Sequence, residues 1–206
     1  MVRVINNMKY GFIVLAFIAV IIFSIFFARL FERLLSIKNE SEKRAAGRYG
    51  EQVAASIIKS VLKESDVLLN NIALSFDGKD TELDNVIINQ NGIFIIEVKN
   101  YNGTLSGGED DYEWIKHSIS RGGNTYVKAV KNPIKQVKRQ VYILAKHLEY
   151  YGIDVWVQGY AFFIDAKCPV QSNYVLNTDK DIDEAIHKPS RVRLNKKAME
   201  RIKEVL

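Results

Sequence analysis

The feature that most constrains this chain is a run of 19 residues without a charge, residues 10–28, which reads YGFIVLAFIAVIIFSIFFA. A helix of this length is roughly 28 Å long, close to the hydrocarbon thickness of a bilayer. The run is too long for the apolar region of a signal peptide and ends in a poor cleavage site, so a retained anchor is favoured over a cleaved signal. We therefore expect one transmembrane helix over residues 10–28.

The positive charges beside this run predict its orientation, because positive residues collect on the cytoplasmic side of membrane spans. Two precede the run, Arg3 and Lys9, and five follow it closely, Arg29, Arg33, Lys38, Lys43 and Arg44. This modest bias predicts a single-pass protein of the cell membrane with its C-terminal domain in the cytoplasm. The single cysteine, Cys168, has no partner for a disulfide within the chain, which fits a reducing compartment.

The sequence after the run predicts one globular domain. Residues 1–9 are a short N-terminal segment, residues 29–44 a charged linker with a polar stretch at 36–41, and residues 45–206 the domain. From residue 29 onward, 27 basic and 24 acidic residues give a net charge of +3, which permits a polyanionic partner without arguing for one. Three widely separated histidines and one cysteine argue against a zinc site, and the sequence has no P-loop motif.

Hydrophobic periodicity and turn residues predict an α/β domain. The second helix has the clearest ends, because Asn132-Pro133 suits a first turn and Gly152 suits a stop. Helices are predicted at 45–63, 132–151, 182–187 and 195–205, and strands at 66–74, 84–89, 93–99, near Trp114, at 155–164 and at 173–176. This order of elements predicts a mixed sheet with helices packed on its faces.

Two charged residues stand out on the strand at 93–99. Glu97 and Lys99 are two residues apart, so they share one face, while the apolar residues between and before them point into a core. The segment Gln90-Asn91-Gly92 predicts a hairpin to the preceding strand. A two-residue loop, Asn91-Gly92, would place Asp84 opposite Lys99, whereas a four-residue loop would place it opposite Glu97. In both registers Asp84, Glu97 and Lys99 converge on one face.

This convergence predicts metal chemistry. Two carboxylates at such a separation repel each other unless a cation lies between them, and hard oxygen ligands suit Mg²⁺ or Mn²⁺. A lysine beside them can orient or deprotonate a water, or neutralise transition-state charge. Glu51 precedes Ala54 by three residues, which places it on or near the buried face of the first helix. Gln136 adjoins the apolar stripe of the second helix and is a further candidate.

Several separated motifs, in order, resemble the nuclease-related domain (NERD) family. They are Gly47-Arg48-Tyr49-Gly50-Glu51, Thr81-Glu82-Leu83-Asp84, the run from Gly92 to Gly103 that contains Glu97-Val98-Lys99, then Trp114, and finally Asn132-Pro133 with Gln136. The resemblance covers residues 45–148. It implies the restriction-endonuclease-like fold of the PD-(D/E)XK superfamily, an α/β fold with a mixed sheet flanked by helices.

The resemblance also implies a reaction, the metal-dependent hydrolysis of a nucleic-acid phosphodiester, with DNA as the first expectation. Asp84, Glu97 and the backbone carbonyl of Val98 would bind Mg²⁺ or Mn²⁺, and Lys99 would position or activate the water. Glu51 would support the metal from the first helix. Gln136 would help to arrange the site from the second helix.

A basic stretch at the second helix is a candidate for contact with nucleic-acid phosphates, although a solvated surface is the more common reason for such charges. It contains Lys128, Lys131, Lys135, Lys138 and Arg139. Three functions follow as hypotheses. The first is a metal-dependent nuclease at the inner membrane face. The second is a catalytically silent nuclease fold that binds nucleic acid or protein there, and the third is a membrane scaffold that binds neither nucleic acid nor metal.

Overall fold

The structure is a computed structural model that describes residues 2–101, 103–120, 122–164, 168–190 and 193–206, with the side chains of residues 2–22, 39, 41–46 and 48 left out. The chain divides into two compact units, Met1–Ala46 and Gly47–Leu206. The second unit therefore begins within two residues of the predicted domain boundary. It contains every residue that the sequence nominates for catalysis.

The first unit is helical in its described residues, and helix α1 spans Val2–Val61. The stretch at 36–41, predicted as a polar linker, is helical. The physical reason is that its polar residues are tolerated in a helix, and neither proline nor glycine occurs between Gly11 and Gly47. Where the side chains are described, no helix is long and apolar enough to cross a membrane. Most of the predicted transmembrane segment, residues 10–22, lies outside that described part, so the anchor stays a prediction.

In its described residues, the second unit contains two sheets and three further helices. The strands are β1 (Val67–Phe76), β2 (Lys79–Asn89), β3 (Gly92–Lys99), β4 (Thr104–Ser106), β5 (Glu113–Ile119), β6 (Thr125–Lys131), β7 (Val157–Phe163) and β8 (Val175–Leu176). The helices are α2 (Pro133–Tyr150), α3 (Asp179–His187) and α4 (Lys196–Val205). In the main sheet the strand order is β1-β2-β3-β7-β8. The first three strands are antiparallel, and β3, β7 and β8 are parallel. The predicted mixed sheet is confirmed.

Apolar side chains cover both faces of this sheet, so each strand residue can be assigned to one of two packed faces. On one face, α2 and α4 pack against β1, β2, β3 and β7 through Val86, Ile88, Ile93, Ile95, Leu144 and Ile202. On the other face, the end of α1 and helix α3 pack through Ala54, Ile58, Ile87, Phe94, Ile96 and Ile182. Because side chains alternate along a strand, Glu97 and Lys99 follow Ile93 and Ile95 onto the α2 face.

The hairpin between β2 and β3 settles the register. Asn85 pairs with Ile96 and Asn89 with Gly92, so the loop is the two residues Gln90-Asn91, and neither the predicted Asn91-Gly92 loop nor the four-residue loop is formed. Extended by one pair, this register places Asp84 opposite Glu97, and the alternative with Asp84 opposite Lys99 is wrong. Gly92 has φ 144°, and a Cβ there would lie 3.0 Å from the Trp156 carbonyl oxygen. Glycine is therefore needed where β3 begins beside β7, and not at the tip of the turn.

Two other elements differ from the sequence expectation. The segment predicted to separate the first two strands, residues 75–83, is mostly strand and contains only a two-residue turn, in which Asp77 has φ 51° and Gly78 has φ 67°, the conformation that Asp-Gly favours in hairpins. The second sheet has the order β4-β5-β6, and neither β4 nor β6 was predicted. Six of the seven residues of β6 are exposed, so its sequence lacks the alternation that reveals a half-buried strand.

Candidate functional site

The candidate site lies where β2 and β3 separate. Asn85–Ile96 is the last pair of this ladder, and beyond it the backbone N–H of Val98 donates to Oδ2 of Asp84 at 2.9 Å. The carboxylate therefore replaces the backbone partner that β2 no longer supplies. Burial, and then the negative charge of Glu97, raises the pKa of Asp84 to about 6, although the Val98 N–H and Lys99 oppose the shift.

Glu97 is the most enclosed acid of the site, with 4% of its surface exposed. Its Oε1 accepts hydrogen bonds from Lys99 Nζ at 2.6 Å and from Gln136 Nε2 at 2.6 Å. Lys99 Nζ also donates to Gln136 Oε1 at 3.0 Å. The three side chains therefore form a closed triangle between β3 and α2, in which each group fixes the positions of the other two.

Gln140 completes this network, and the sequence analysis missed it. Its Nε2 donates to Glu97 Oε2 at 2.6 Å and to the Glu82 carbonyl oxygen at 2.9 Å. The residue is 1% exposed, and within the described residues its Oε1 has no hydrogen-bond partner. A signal was present, because Gln140 follows Gln136 by four residues and so lies on the same face of α2.

Glu51 was expected on or near the buried face of the first helix, but in the structure its side chain is exposed. Gly50 and Ala54 are buried, whereas Glu51 itself is exposed. It nevertheless lines a cavity of about 270 Å³ together with Asp84, and its charge makes the smallest contribution to the raised pKa of Asp84. Among the described residues, no three acidic, histidine or cysteine side chains group tightly enough to hold a metal. Glu51 is thus a peripheral member of the site.

A larger cleft of about 770 Å³ opens over the same carboxylates. Asp84, Glu97 and Gln136 contribute to its lining, and so do three of the five predicted phosphate-contact residues, Lys131, Lys135 and Arg139. The other two lie elsewhere. Lys138 pairs with Glu109 at 2.7 Å, and this hydrogen bond raises the pKa of the Lys138 ammonium. Lys128 is exposed on β6, opposite Lys116.

One aromatic residue at this cleft was not predicted. Tyr112 is 82% exposed, lines the cleft, and its ring lies 5.8 Å from Lys135 Nζ. Asn132 holds this side of the cleft in place, since its Nδ2 donates to the carbonyl oxygens of Gly108, Glu109 and Asp111 at 3.3, 3.0 and 2.7 Å. Its Oδ1 also accepts from the Ile134 N–H at 2.9 Å, which caps α2. The predicted start of this helix is confirmed.

The mixed sheet flanked by helices, with two acids and a lysine where two strands separate, defines a nuclease-like fold. The chain belongs to the nuclease-related domain (NERD) family, which it matches over residues 46–164. That range contains Glu51, Asp84, Glu97, Lys99 and Gln136. It also contains Gln140, so both glutamines of α2 lie within the region that the family shares.

A relative is an uncharacterized protein of Bacillus anthracis, which is 23% identical over 130 residues. The matched region covers 63% of this chain and 61% of the relative, so the match spans about three-fifths of that protein's length. No solved structure matches the chain. Among the described residues after 164, which lie beyond the family match, β8 forms the last strand of the main sheet, and α3 and α4 pack against the faces of that sheet.

Proposed function

We propose that this protein is a membrane-anchored, divalent-metal-dependent nuclease that hydrolyses nucleic-acid phosphodiesters. The observation that carries the proposal is that Asp84 and Glu97 line one cleft, while Lys99, Gln136 and Gln140 all donate hydrogen bonds to Glu97. Burial of a charged side chain lowers the stability of the fold, because the charge loses its hydration when it leaves water. The convergence of these side chains below a cationic rim is the arrangement that phosphodiester hydrolysis needs.

The donor set of this site fits Mg²⁺ or Mn²⁺. Asp84 and Glu97 supply carboxylate oxygens, the Val98 carbonyl is adjacent, and Glu51 lies at the edge of the site; all are hard ligands. Glu97 raises the pKa of Asp84 in the absence of a cation, which is the repulsion that a divalent ion would relieve. The buried Oε1 of Gln140 lacks a donor among the described residues, and a water held by such an ion would provide one. When bound, the ion would lower the pKa of its water and stabilise charge on the phosphate.

Lys99 has the geometry of a positioning group for the attacking water. Glu97 and Gln136 hold its Nζ from two sides at 2.6 and 3.0 Å, so one of its three N–H donors remains for a water or a phosphate oxygen. A cation fixed there neutralises negative charge that develops on the phosphate in the transition state. Arginine would not reproduce this arrangement, since its planar head directs its donors differently.

The rim of the cleft supports nucleic acid as the substrate, with DNA as the first candidate. Lys131, Lys135 and Arg139 line one cleft, and such cations attract the phosphate backbone without reading its sequence. The exposed ring of Tyr112 offers a surface on which an unpaired base can stack. We therefore assign phosphate contact to the three cleft cations and not to Lys138, which is engaged by Glu109.

The test is a cleavage assay on DNA and RNA with the full-length protein in a mild detergent, with and without Mg²⁺ or Mn²⁺. Asp84→Ala and Lys99→Ala should each lower the rate at least a hundredfold, and EDTA should abolish it. Lys138→Ala is the matched control, because this lysine lies on α2 but does not line the cleft, and the variant should keep the wild-type rate. Full activity in both site variants would refute the proposal.

A catalytically silent module is the second candidate, and one observation favours it. Glu97 already accepts three hydrogen bonds from protein donors, as expected of a buried structural carboxylate. On this hypothesis the protein binds nucleic acid at the membrane without cutting it. Salt-sensitive binding of DNA by the wild-type protein, together with no metal-dependent cleavage, would establish the silent module in place of the nuclease.

Membrane anchoring through residues 10–28 is part of the same proposal. The uncharged run is long enough to span a bilayer, and the larger number of positive charges after it favours a cytoplasmic C-terminal domain. In membrane vesicles of known orientation, the protein should resist extraction by alkaline carbonate. A protease added to the cytoplasmic side should digest the domain. Release of the intact chain by carbonate would contradict the anchor.

A further inference from the structure

Strand β1 contains a backbone irregularity that its turn residues do not explain. Among the described residues, two that are not glycine have positive φ, Asn71 at 54° and Asp77 at 51°. Asp77 lies in the hairpin turn, where this conformation is required. Asn71 lies in the middle of β1, between the pairs Asn70–Asn85 and Ile72–Leu83. The register is the same on both sides of Asn71, so no extra residue is inserted and the irregularity is not a bulge.

The position of Asn71 links the irregularity to the site. In the register of β1 and β2 it lies opposite Asp84, and no pairing is formed there. A left-handed conformation costs an asparagine less than most residues, but glycine would adopt it freely. An asparagine at a position where glycine would be unstrained points to a use for its side chain, because strained residues cluster where function requires them.

Asn71 lines the cavity of about 270 Å³ beside Asp84, which we call the asparagine cavity. Its lining contains Ala55 and six polar residues, Glu51, Gln52, Asn70, Asn71, Asp84 and Asn85. Two of these amides are already engaged, since Asn70 Nδ2 donates to Asn85 Oδ1 at 2.7 Å and Asn85 Nδ2 donates to the Ile96 carbonyl oxygen at 3.2 Å. Gln52 and Asn71 are exposed at the cavity and are therefore available to a ligand.

Asp84 lines both the asparagine cavity and the larger cleft. A nucleic-acid strand whose scissile phosphate reaches Asp84 from the cleft therefore continues toward the cavity. We propose that the asparagine cavity binds the sugar–phosphate unit next to the scissile bond, with the amide of Asn71 donating to one of its oxygens. The cavity is smaller than the roughly 300–1,000 Å³ of sites for drug-sized ligands, which suits one such unit. The carboxylates of Glu51 and Asp84 in this lining repel an anion, so the inference requires the divalent ion of the proposed site, and the neutral amide of Asn71 adds a donor without a further negative charge.

This inference rests on the proposed nuclease function. Its test distinguishes failure of the inference from failure of the proposed function. Full-length protein carrying Lys99→Met, which keeps both metal carboxylates, is titrated with labelled duplex DNA in Mg²⁺ and followed by fluorescence anisotropy. Adding Asn71→Gly retains the backbone conformation and removes the amide. We expect binding to weaken about tenfold, the equivalent of one hydrogen bond to a charged oxygen, while the unfolding temperature stays the same or rises.

Asn71→Asp provides the second variant, because aspartate also tolerates the left-handed conformation but presents negative charge to the phosphate. It should weaken binding more than Asn71→Gly at an unchanged unfolding temperature. Wild-type affinity in both variants would overturn the inference and leave the proposed function intact. If the unsubstituted protein neither binds nor cleaves DNA, both the inference and the proposed function are overturned.

Discussion

Replacing Asp84 by asparagine should stabilise the metal-free protein, although it should destroy activity. The pKa of this carboxyl is raised from 3.8 to about 6 by burial and by Glu97. Between these pH values the folded chain binds more protons than the unfolded chain, so the stability of the wild-type protein falls as the pH rises from about 4 to about 6. Asparagine has no such charge, and its Oδ1 can still accept from the Val98 N–H.

The size of the effect follows from the shift. A change of about two pKa units corresponds to about 3 kcal/mol, at about 1.4 kcal/mol for each unit. Because the Asp84 side chain is half-buried and water screens part of its charge, we expect about 2 kcal/mol above pH 7. For a unit of this size that raises the unfolding temperature by roughly 4–8 °C. Below pH 4 both proteins should unfold at the same temperature.

The assay is thermal unfolding of the full-length protein in EDTA from pH 4 to pH 8, followed by tryptophan fluorescence. Trp114 is fully buried, so it reports on the domain core. Asp154→Asn is the matched control, because Asp154 is exposed and this change should have little effect at any pH. A lower unfolding temperature for Asp84→Asn at pH 8, or a gain of the same size at pH 4, would refute the reasoning.

Three further substitutions test the scaffold of the site. Gln140→Leu removes the donor to Glu97 Oε2. The free energy of unfolding, measured in urea, should fall by about 1–3 kcal/mol, and the cleavage rate should fall at least tenfold. Cleavage at the wild-type rate would contradict a role for Gln140 in the site. Asn132→Ala should lower the free energy of unfolding by about 2–3 kcal/mol in the same measurement, because it removes a buried helix cap and three contacts to carbonyl oxygens. The control is Asn195→Ala, which removes an exposed cap. An equal or smaller loss for Asn132→Ala than for this control would contradict the prediction. Gly159→Ala places a Cβ 2.5 Å from Val137 Cγ1 and should cost about 1–3 kcal/mol in urea; an unchanged midpoint would show that α2 can move away from β7.

The sequence was sufficient where local chemistry decides the structure. Asn132-Pro133 marks the start of α2, and the alternation along β3 placed Glu97 and Lys99 on the face opposite the apolar residues between them. The hairpin register could not be chosen from the sequence alone, since Gln90-Asn91-Gly92 can place a two-residue turn at Gln90-Asn91 or at Asn91-Gly92. The choice depends on Trp156, whose carbonyl oxygen lies beside Gly92. That contact joins residues 64 positions apart, and no local pattern encodes it.

The missed residues share another physical cause. A glutamine on a helix is usually solvated, so nothing in its immediate neighbours shows that Gln140 is buried against Glu97. Only the four-residue spacing from Gln136 points to a common partner. Asn71 is harder to identify, because its significance depends on a φ angle that one sequence does not reveal. Tyr112 resembles any exposed tyrosine until the fold brings it to the cleft.

The central claim is that Asp84 and Glu97 form a divalent-metal site, and calorimetric titration of the full-length protein with Mn²⁺ tests it most directly. We predict site-specific binding by the wild-type protein. Glu97→Ala and Asp84→Ala should each abolish the binding, while Asp154→Asn should leave it unchanged. No binding by the wild-type protein, or equal binding by the wild-type protein and both alanine variants, would contradict the claim.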